Sequence, residues 1–278
     1  MEDLVVPEVA ALQKEAMDML KKTSRTFYIP ITFLEPKLKK AVASAYLVMR
    51  AIDEIEDHEA LGSQEKQALL RATSKMLATE FNTKEYEQLV QPFQDILPEV
   101  SLRLGDWLAI CPVDLVDKVK ESSSEMAEGM AKWVEKNWQV KTKEDLDEYT
   151  YYVAGLVGVM LSDLWKWSAD IDTDRELAIA YGRGLQAVNI LRNKDEDKER
   201  GVQFFPEGWT REDMFHYAEE NLAKADEYNK SIKRKSIVLF CKLPLALAHK
   251  TLKALKSGKE KMTRAEVEAT VEEVQAEV

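Results

Sequence analysis

Cysteine is nearly absent: Cys111 and Cys241 are the only two in 278 residues. They form no CxxC pair and suggest no disulfide framework, so a reduced, cytoplasmic setting is expected. Glycine (10) and proline (8) are also scarce, as expected for helices joined by short turns. Strand signals are missing. The longest apolar run, Val153 to Leu161, contains two glycines and stops at Ser162-Asp163, too short to span a bilayer. The opening Met1-Glu-Asp-Leu-Val-Val-Pro has neither the basic start nor the apolar core of a secretory signal. A soluble chain without a transmembrane segment is therefore expected. Positive charge is in deficit, 39 basic against 50 acidic residues for a net −11, which argues against nucleic acid as a partner. The histidines His58, His216 and His249 show no ligand spacing, and no Ser-His-Asp arrangement, Gly-rich phosphate loop or Cys/His zinc spacing occurs.

What is present is ordinary for a globular protein: 45% hydrophobic and 32% charged residues, with no internal repeat, low-complexity tract or linker. Helical periodicity predicts a helix from Pro7 towards Lys22, a polar turn over Thr23 to Phe27, and a helix through Asp53 and Asp57. Ser63 is expected to cap a helix reaching about Phe81. Weaker helical segments follow from Glu85 to Ile110, broken near Pro92 and Pro98. A long helix after Pro112 then carries Met126, Gly129, Met130 and Trp133 on one side. Thr142 to Asp145 reads as a capping box opening the most apolar helix, Tyr149 to Leu161. Thr173 is expected to cap the helix leading to Asp197. A loop from Lys198 to Trp209 precedes a helix started by Thr210 to Asp213. Ser236 to Leu255 is amphipathic to buried, and Thr263 to Glu266 opens a final acidic helix, expected to dock loosely or fray. The expected architecture is one all-α domain over residues 1–278, its core about 10–260, with helices around a central polar cavity.

The chemistry sits in two helical stripes. Along Tyr46-Leu-Val-Met-Arg50-Ala-Ile-Asp53-Glu-Ile-Glu-Asp57, steps of four, three and four put Tyr46, Arg50, Asp53 and Asp57 on one face. Leu47, Val48, Ala51, Ile52 and Ile55 occupy the rest of the circumference, so the helix is expected to be buried nearly all round. Buried carboxylates cost several kcal/mol each unless paired or metal-bound. Two of them one turn apart therefore suggest a cation site; the plain alternative is a solvated face with intrahelical ion pairs. In the second stretch Gln186, Asn189, Asn193 and Asp197 again share a face. Facing helices of this kind would hold hard cations through oxygen ligands, and Mg²⁺ favours a few carboxylates plus water and substrate phosphate. A diphosphate substrate suits such a site, with arginines contacting its remaining oxygens and a dry apolar chamber receiving the carbocation left behind.

The helix bearing Gly155 and Gly158 and the Met126-Gly129-Met130 helix read either as plain core or as chamber lining. Each of those two glycines costs about 1 kcal/mol against alanine in a helix, which close approach of a backbone or a ligand would explain. Tyr149 and Tyr152 read either as core tyrosines or as phenols that donate to diphosphate or move a proton.

These residues resemble the squalene/phytoene synthase family, its squalene synthase branch most closely. Tyr46 to Asp57 looks like its first aspartate-rich motif, Tyr149 to Gly158 like its central tyrosine helix, and Gln186 to Asp197 like its second aspartate-rich motif. Ser24-Arg25-Thr26-Phe27, Gly129-Met130-Ala131 and Phe240-Cys241-Lys-Leu-Pro244 match as well. The matches span roughly residues 20 to 260 in family order. The resemblance implies an all-α isoprenoid synthase fold and Mg²⁺-dependent head-to-head condensation of two prenyl diphosphates through a cyclopropyl intermediate. By position it implies Asp53, Asp57 and Asp197 as metal ligands, with Asn193 in the place of a fourth. Ser24, Arg25, Tyr46, Arg50, Gln186, Asn189 and Arg192 would surround the diphosphates, and Tyr149 would be the acid/base tyrosine.

The chain departs from the pattern in places. The second motif usually reads Asp-x-x-x-Asp but here reads Asn193-Lys-Asp-Glu-Asp197, a spacing that with Asn189 also resembles a terpene-cyclase metal motif. Val202 stands where many relatives carry Arg. The membrane anchor of eukaryotic squalene synthases is missing, which implies a soluble, bacterial-type enzyme touching membranes only transiently to release product, as monomer or homodimer. The leading expectation is condensation of two farnesyl diphosphates to presqualene diphosphate, and on to squalene where NADPH supplies hydride. The runner-up is a single-substrate terpene cyclase or prenyl diphosphate phosphatase, and the third is a non-catalytic relative.

Overall fold

In the computed structural model residues 7–278 are described, the side chains of Pro7 and Arg25 excepted. The helices group into two compact units, Met1–Glu135 and Lys136–Val278. Among the described residues there is no strand, only an isolated bridge between Gln139 and Gln203, so the all-α expectation holds.

The first unit contains α1 (Pro7–Thr23), α2 (Arg25–Thr32), α3 (Pro36–Asp57), α4 (Ser63–Ala78), α5 (Thr83–Val90), the short α6 (Glu99–Leu102) and α7 (Leu104–Ala109), and α8 (Val116–Glu135). Helix α3 is its axis and packs against α1, α6, α7 and α8. Pro36 starts it at a position where a missing N–H costs nothing. Leu47, Val48, Ile52 and Ile55 are fully buried, each stabilising by about 1.5–3 kcal/mol. Two buried hydroxyls fix its rotation: Ser44 Oγ donates to the Trp107 carbonyl at 2.7 Å, and Ser101 Oγ to the Ala51 carbonyl at 2.8 Å. Met126, Gly129, Met130 and Trp133 of α8 are all buried, so they are core.

Two caps of this unit differ from expectation. The stretch over Thr23 to Phe27 is a helix start: Ser24 Oγ accepts from the Phe27 N–H at 3.1 Å and opens α2. The cap of α4 is Gly62, whose N–H donates to Glu65 at 2.9 Å, and Ser63 is the first helical residue. That helix ends at Ala78 rather than near Phe81.

The second unit contains α9 (Lys143–Thr150), a π-helical turn (Tyr151–Gly155), α10 (Leu156–Ala169), α11 (Arg175–Arg192), α12 (Lys194–Glu199), α13 (Arg211–Lys230), α14 (Lys235–Lys256) and α15 (Arg264–Glu277). The capping boxes at Thr142 and Thr263 form as read, and Thr210, expected to start a helix, closes a capping box with Asp213 as well. The cap of α11 is Asp174 rather than Thr173, its Oδ1 accepting from the Leu177 N–H at 2.9 Å. Helix α15 is docked, not frayed: Thr270 and Val274 are buried, and Lys250 and Lys242 of α14 pair with Glu273 and Glu277. Helix α11 is the axis here, packing on the π-turn, α10, α13 and α14. A Cβ on Gly158 would lie 2.2 Å from the Ala178 carbonyl oxygen, and one on Gly182 2.2 Å from that of Ala154. These glycines are explained by close approach of a neighbouring backbone. Among the described residues, no helix is long and apolar enough to cross a membrane.

Candidate functional site

From Ala41 to Asp57 only Tyr46, Arg50, Asp53, Glu54 and Asp57 escape burial. The stripe expected from spacing is thus the one face of α3 left uncovered, widened by Glu54. Arg50 links it: its Nη2 donates to Glu54 Oε1, and its Nη1 stands 3.5 Å from Asp53 Oδ2. The Nε–H of Arg50 is buried with no acceptor among the described residues. Burial pushes the pKa of the Tyr46 phenol above the usual value, with the nearby Ser24 hydroxyl and Arg50 opposing the shift. The Tyr46 ring also lies 5.8 Å from that of Phe27. Ser24, Tyr46, Arg50, Asp53 and Asp57 therefore come together. The side chain of Arg25 lies outside the described residues.

Asp53 carries the clearest electrostatic signature. Desolvation, then the neighbouring Asp57 carboxylate, push it up to about 7, with Arg50 only partly compensating. Yet its side chain keeps 36% of its surface accessible. Two close carboxylates repelling each other under desolvation fit a divalent cation, whose charge would remove the penalty. Among the described residues no group of three or more His, Cys, Asp or Glu side chains forms a complete cage.

In the second unit, Gln186, Asn189, Arg192 and Asn193 lie on the part of α11 left partly open, while Ala187, Val188, Ile190 and Leu191 are buried. The helix breaks at Asn193, which ends α11 and precedes α12. Its i→i−4 bonding nevertheless runs through: Asn193 N–H donates to Asn189 O and Asp197 N–H to Asn193 O, both at 2.9 Å. Asn189, Asn193 and Asp197 thus keep a common face across the break. Arg192 is exposed and donates to Asn189 Oδ1 at 3.2 Å. Asp197 is 7% exposed and pairs with Arg200 at 2.8 Å. Burial raises its pKa, the Arg200 pair opposes this, and Glu196 adds to it. Its cation stands closer than that of Asp53, at 2.8 Å against 3.5 Å.

Tyr149 is buried and stacks on Phe204 with ring centroids 4.6 Å apart. Tyr152 is half-buried beside Tyr151. Both stand at the π-helical turn, a feature that often accompanies functional positions. Sequence reasoning passed over Glu54, although an acidic residue four places after Arg50 is the ordinary signal of a helical ion pair. It also passed over Arg200, three residues after Asp197.

A family model described as squalene/phytoene synthase matches residues 20–214. Squalene synthase 10 of Panax ginseng is 32% identical over 268 residues, covering 84% of this chain. The squalene synthase of Rattus norvegicus is 29% identical, covering 87%. The chain spans 61% of the ginseng protein's length and 63% of the rat protein's. Among solved structures, a ligand complex of TcSQS aligns with a TM-score of 0.78 at 24% identity, over 95% of this chain and 86% of that one. A dehydrosqualene synthase in complex with ligand aligns at 0.67 and 21%, over 97% of each chain. At these identities the structures bear on the fold alone, whereas the family model covers well over half of the sequence: the chain belongs to the squalene/phytoene synthase family.

Proposed function

We propose that this protein is a Mg²⁺-dependent prenyltransferase that joins two prenyl diphosphates head to head, farnesyl diphosphate being the first substrate to test. The observation that carries this reading is the uncovered stripe of α3, with its desolvated Asp53 beside Asp57 and Arg50. Asp53 and Asp57 in the first unit, and Asn193 and Asp197 in the second, are the proposed metal ligands. Bound Mg²⁺ would neutralise diphosphate and favour its departure. Arg50, Tyr46, Ser24 and Arg25 are proposed to bind and orient diphosphate from α2 and α3, and Gln186, Asn189 and Arg192 from α11. Tyr149, its phenol held by stacking on Phe204, is the proposed proton-moving group. Val153, Val157 and Leu161, four residues apart, remain half-buried and offer apolar surface to a prenyl chain. NADPH belongs to the proposal only for the step from presqualene diphosphate to squalene.

A second reading has its own support. The second stripe holds amides at Asn189 and Asn193, and its one carboxylate is already paired with Arg200. That lowers its demand for Mg²⁺ and favours chemistry on a single diphosphate, as in a cyclase or phosphatase. The deciding experiment is incubation with Mg²⁺ and farnesyl or geranylgeranyl diphosphate, with and without NADPH, followed by mass spectrometry of organic extracts. A C30 or C40 product supports condensation. A C15 or C20 alcohol or cyclic hydrocarbon supports the second reading, and no turnover removes both.

Asn193→Asp tests the second stripe. The new carboxylate would join Asp195, Glu196 and Asp197 within five residues, so the Mg²⁺-free protein should melt slightly lower, by about 0.5 kcal/mol. Mg²⁺ with pyrophosphate should then raise the melting temperature more than in wild type, and activity should hold or increase. A change of product instead would make Asn193 a specificity residue, and an unchanged response to Mg²⁺ would remove it from the metal set.

A further inference from the structure

Arg50 has two acidic neighbours, and the way it divides between them is informative. Its Nη2 makes a hydrogen bond with Glu54, whereas Asp53 stands 3.5 Å from Nη1, an ion-pair contact. Glu54 and Asp53 leave α3 about 100° apart, on either side of the guanidinium. Glu54 is partly covered, and among the described residues no other cation pairs with it. The third arm of the guanidinium, Nε–H, is buried without an acceptor among the described residues, an arrangement that costs about 1–3 kcal/mol unless a ligand or a small movement satisfies it.

We propose that Glu54 is a positioning residue for diphosphate capture: it holds Arg50 off Asp53, leaving that carboxylate available to Mg²⁺ and the guanidinium poised for phosphate oxygen. Asp53 is the competing carboxylate within reach of Arg50, its Oδ2 3.5 Å from Nη1. Without Glu54 the guanidinium closes on Asp53 as a bidentate pair, the geometry arginine and carboxylate prefer. That pair occupies the metal ligand and the anion donor at once. With Glu54 in place, the arginine keeps one anchored arm and offers the rest. This inference rests on the proposed diphosphate site.

The test uses inorganic pyrophosphate and Mg²⁺ on the full chain, read by calorimetry. Wild type should bind Mg²⁺–pyrophosphate. Glu54→Ala should raise the Mg²⁺ concentration needed for half-saturation by about 10-fold, the usual scale for a partner that orients a ligand. Glu54→Gln, which keeps an acceptor for Nη2, should recover part of that loss. In the Arg50→Ala background, Glu54→Ala should add almost nothing, because the residue acts through the arginine. A thermal melt of each variant separates this from unfolding. Equal Mg²⁺ requirement in Glu54→Ala and wild type would overturn the inference while leaving the site intact. Additive losses in the double variant would do the same. Failure of wild type itself to bind Mg²⁺–pyrophosphate would overturn the proposed site, and the inference with it.

Discussion

Asp53→Asn should yield a protein that is inactive and, near neutral pH, more stable than the parent. The carboxylate is held at about 7 when folded against an ordinary value of 3.8, so the folded state binds the proton more tightly. Its contribution to stability is therefore fully present below about pH 4 and is lost as pH rises through 7. Complete linkage over that shift would be about 4 kcal/mol, but a side chain more than a third accessible is screened by water, so about 1–2 kcal/mol is expected. Asparagine keeps the shape and removes the charge. Chemical denaturation at pH 4 and pH 8 without Mg²⁺ should show the variant gaining on wild type at the higher pH and matching it at the lower. Prenyl diphosphate turnover should fall by about 10²-fold or more, the scale of losing one well-placed electrostatic contact to a developing charge. Mg²⁺ with pyrophosphate should stabilise wild type and leave the variant almost unmoved. Retained Mg²⁺-dependent turnover would remove Asp53 from the metal set.

That balance also explains why α3 was the most legible part of the sequence. Burial on three sides and an open fourth side leave a direct trace in residue order, because helical spacing maps position onto direction. The burial pattern from Ala41 to Asp57 reproduces the stripe residue for residue, with Glu54 and the buried Glu56 as the additions. The second stretch was less legible. Its spacing survives, but the break at Asn193 and the pairing of Asp197 with Arg200 depend on backbone geometry and loop conformation. The π-helical turn at Tyr151–Gly155 has no periodic signature, since one widened turn leaves the flanking apolar pattern almost unchanged. Cap assignments missed by one residue at Gly62 and Asp174 because adjacent residues could each serve. Docking of α15 could not be read from its acidic composition, which hides the two residues, Thr270 and Val274, that it buries.

Gly158→Ala and Gly182→Ala should each cost about 2–4 kcal/mol, despite alanine's better helix propensity by about 1 kcal/mol. The reason is contact with backbone, which cannot rotate away. At 2.2 Å from a carbonyl oxygen, each new methyl lies about 1 Å inside ordinary contact, so α11 must separate from α10 at Gly158 and from the π-turn at Gly182. Two other glycines serve as controls. A Cβ on Gly184 would meet a Leu222 side-chain carbon at 2.8 Å, which repacking can partly relieve, and one on Gly62 would meet only Glu65 at 3.7 Å. The expected order of destabilisation is therefore Gly158 and Gly182 first, Gly184 next and Gly62 negligible. The double variant Gly158→Ala/Gly182→Ala should lose less than the sum, because one separation of the helices accommodates both methyls. The displaced segment includes the π-turn next to Tyr149. Activity measured well below the melting temperature should consequently fall further than the unfolded fraction accounts for, while pyrophosphate binding at the α3 stripe, in the other unit, should persist. Wild-type melting temperatures for Gly158→Ala and Gly182→Ala would mean that the two helices are not packed backbone to backbone at these positions.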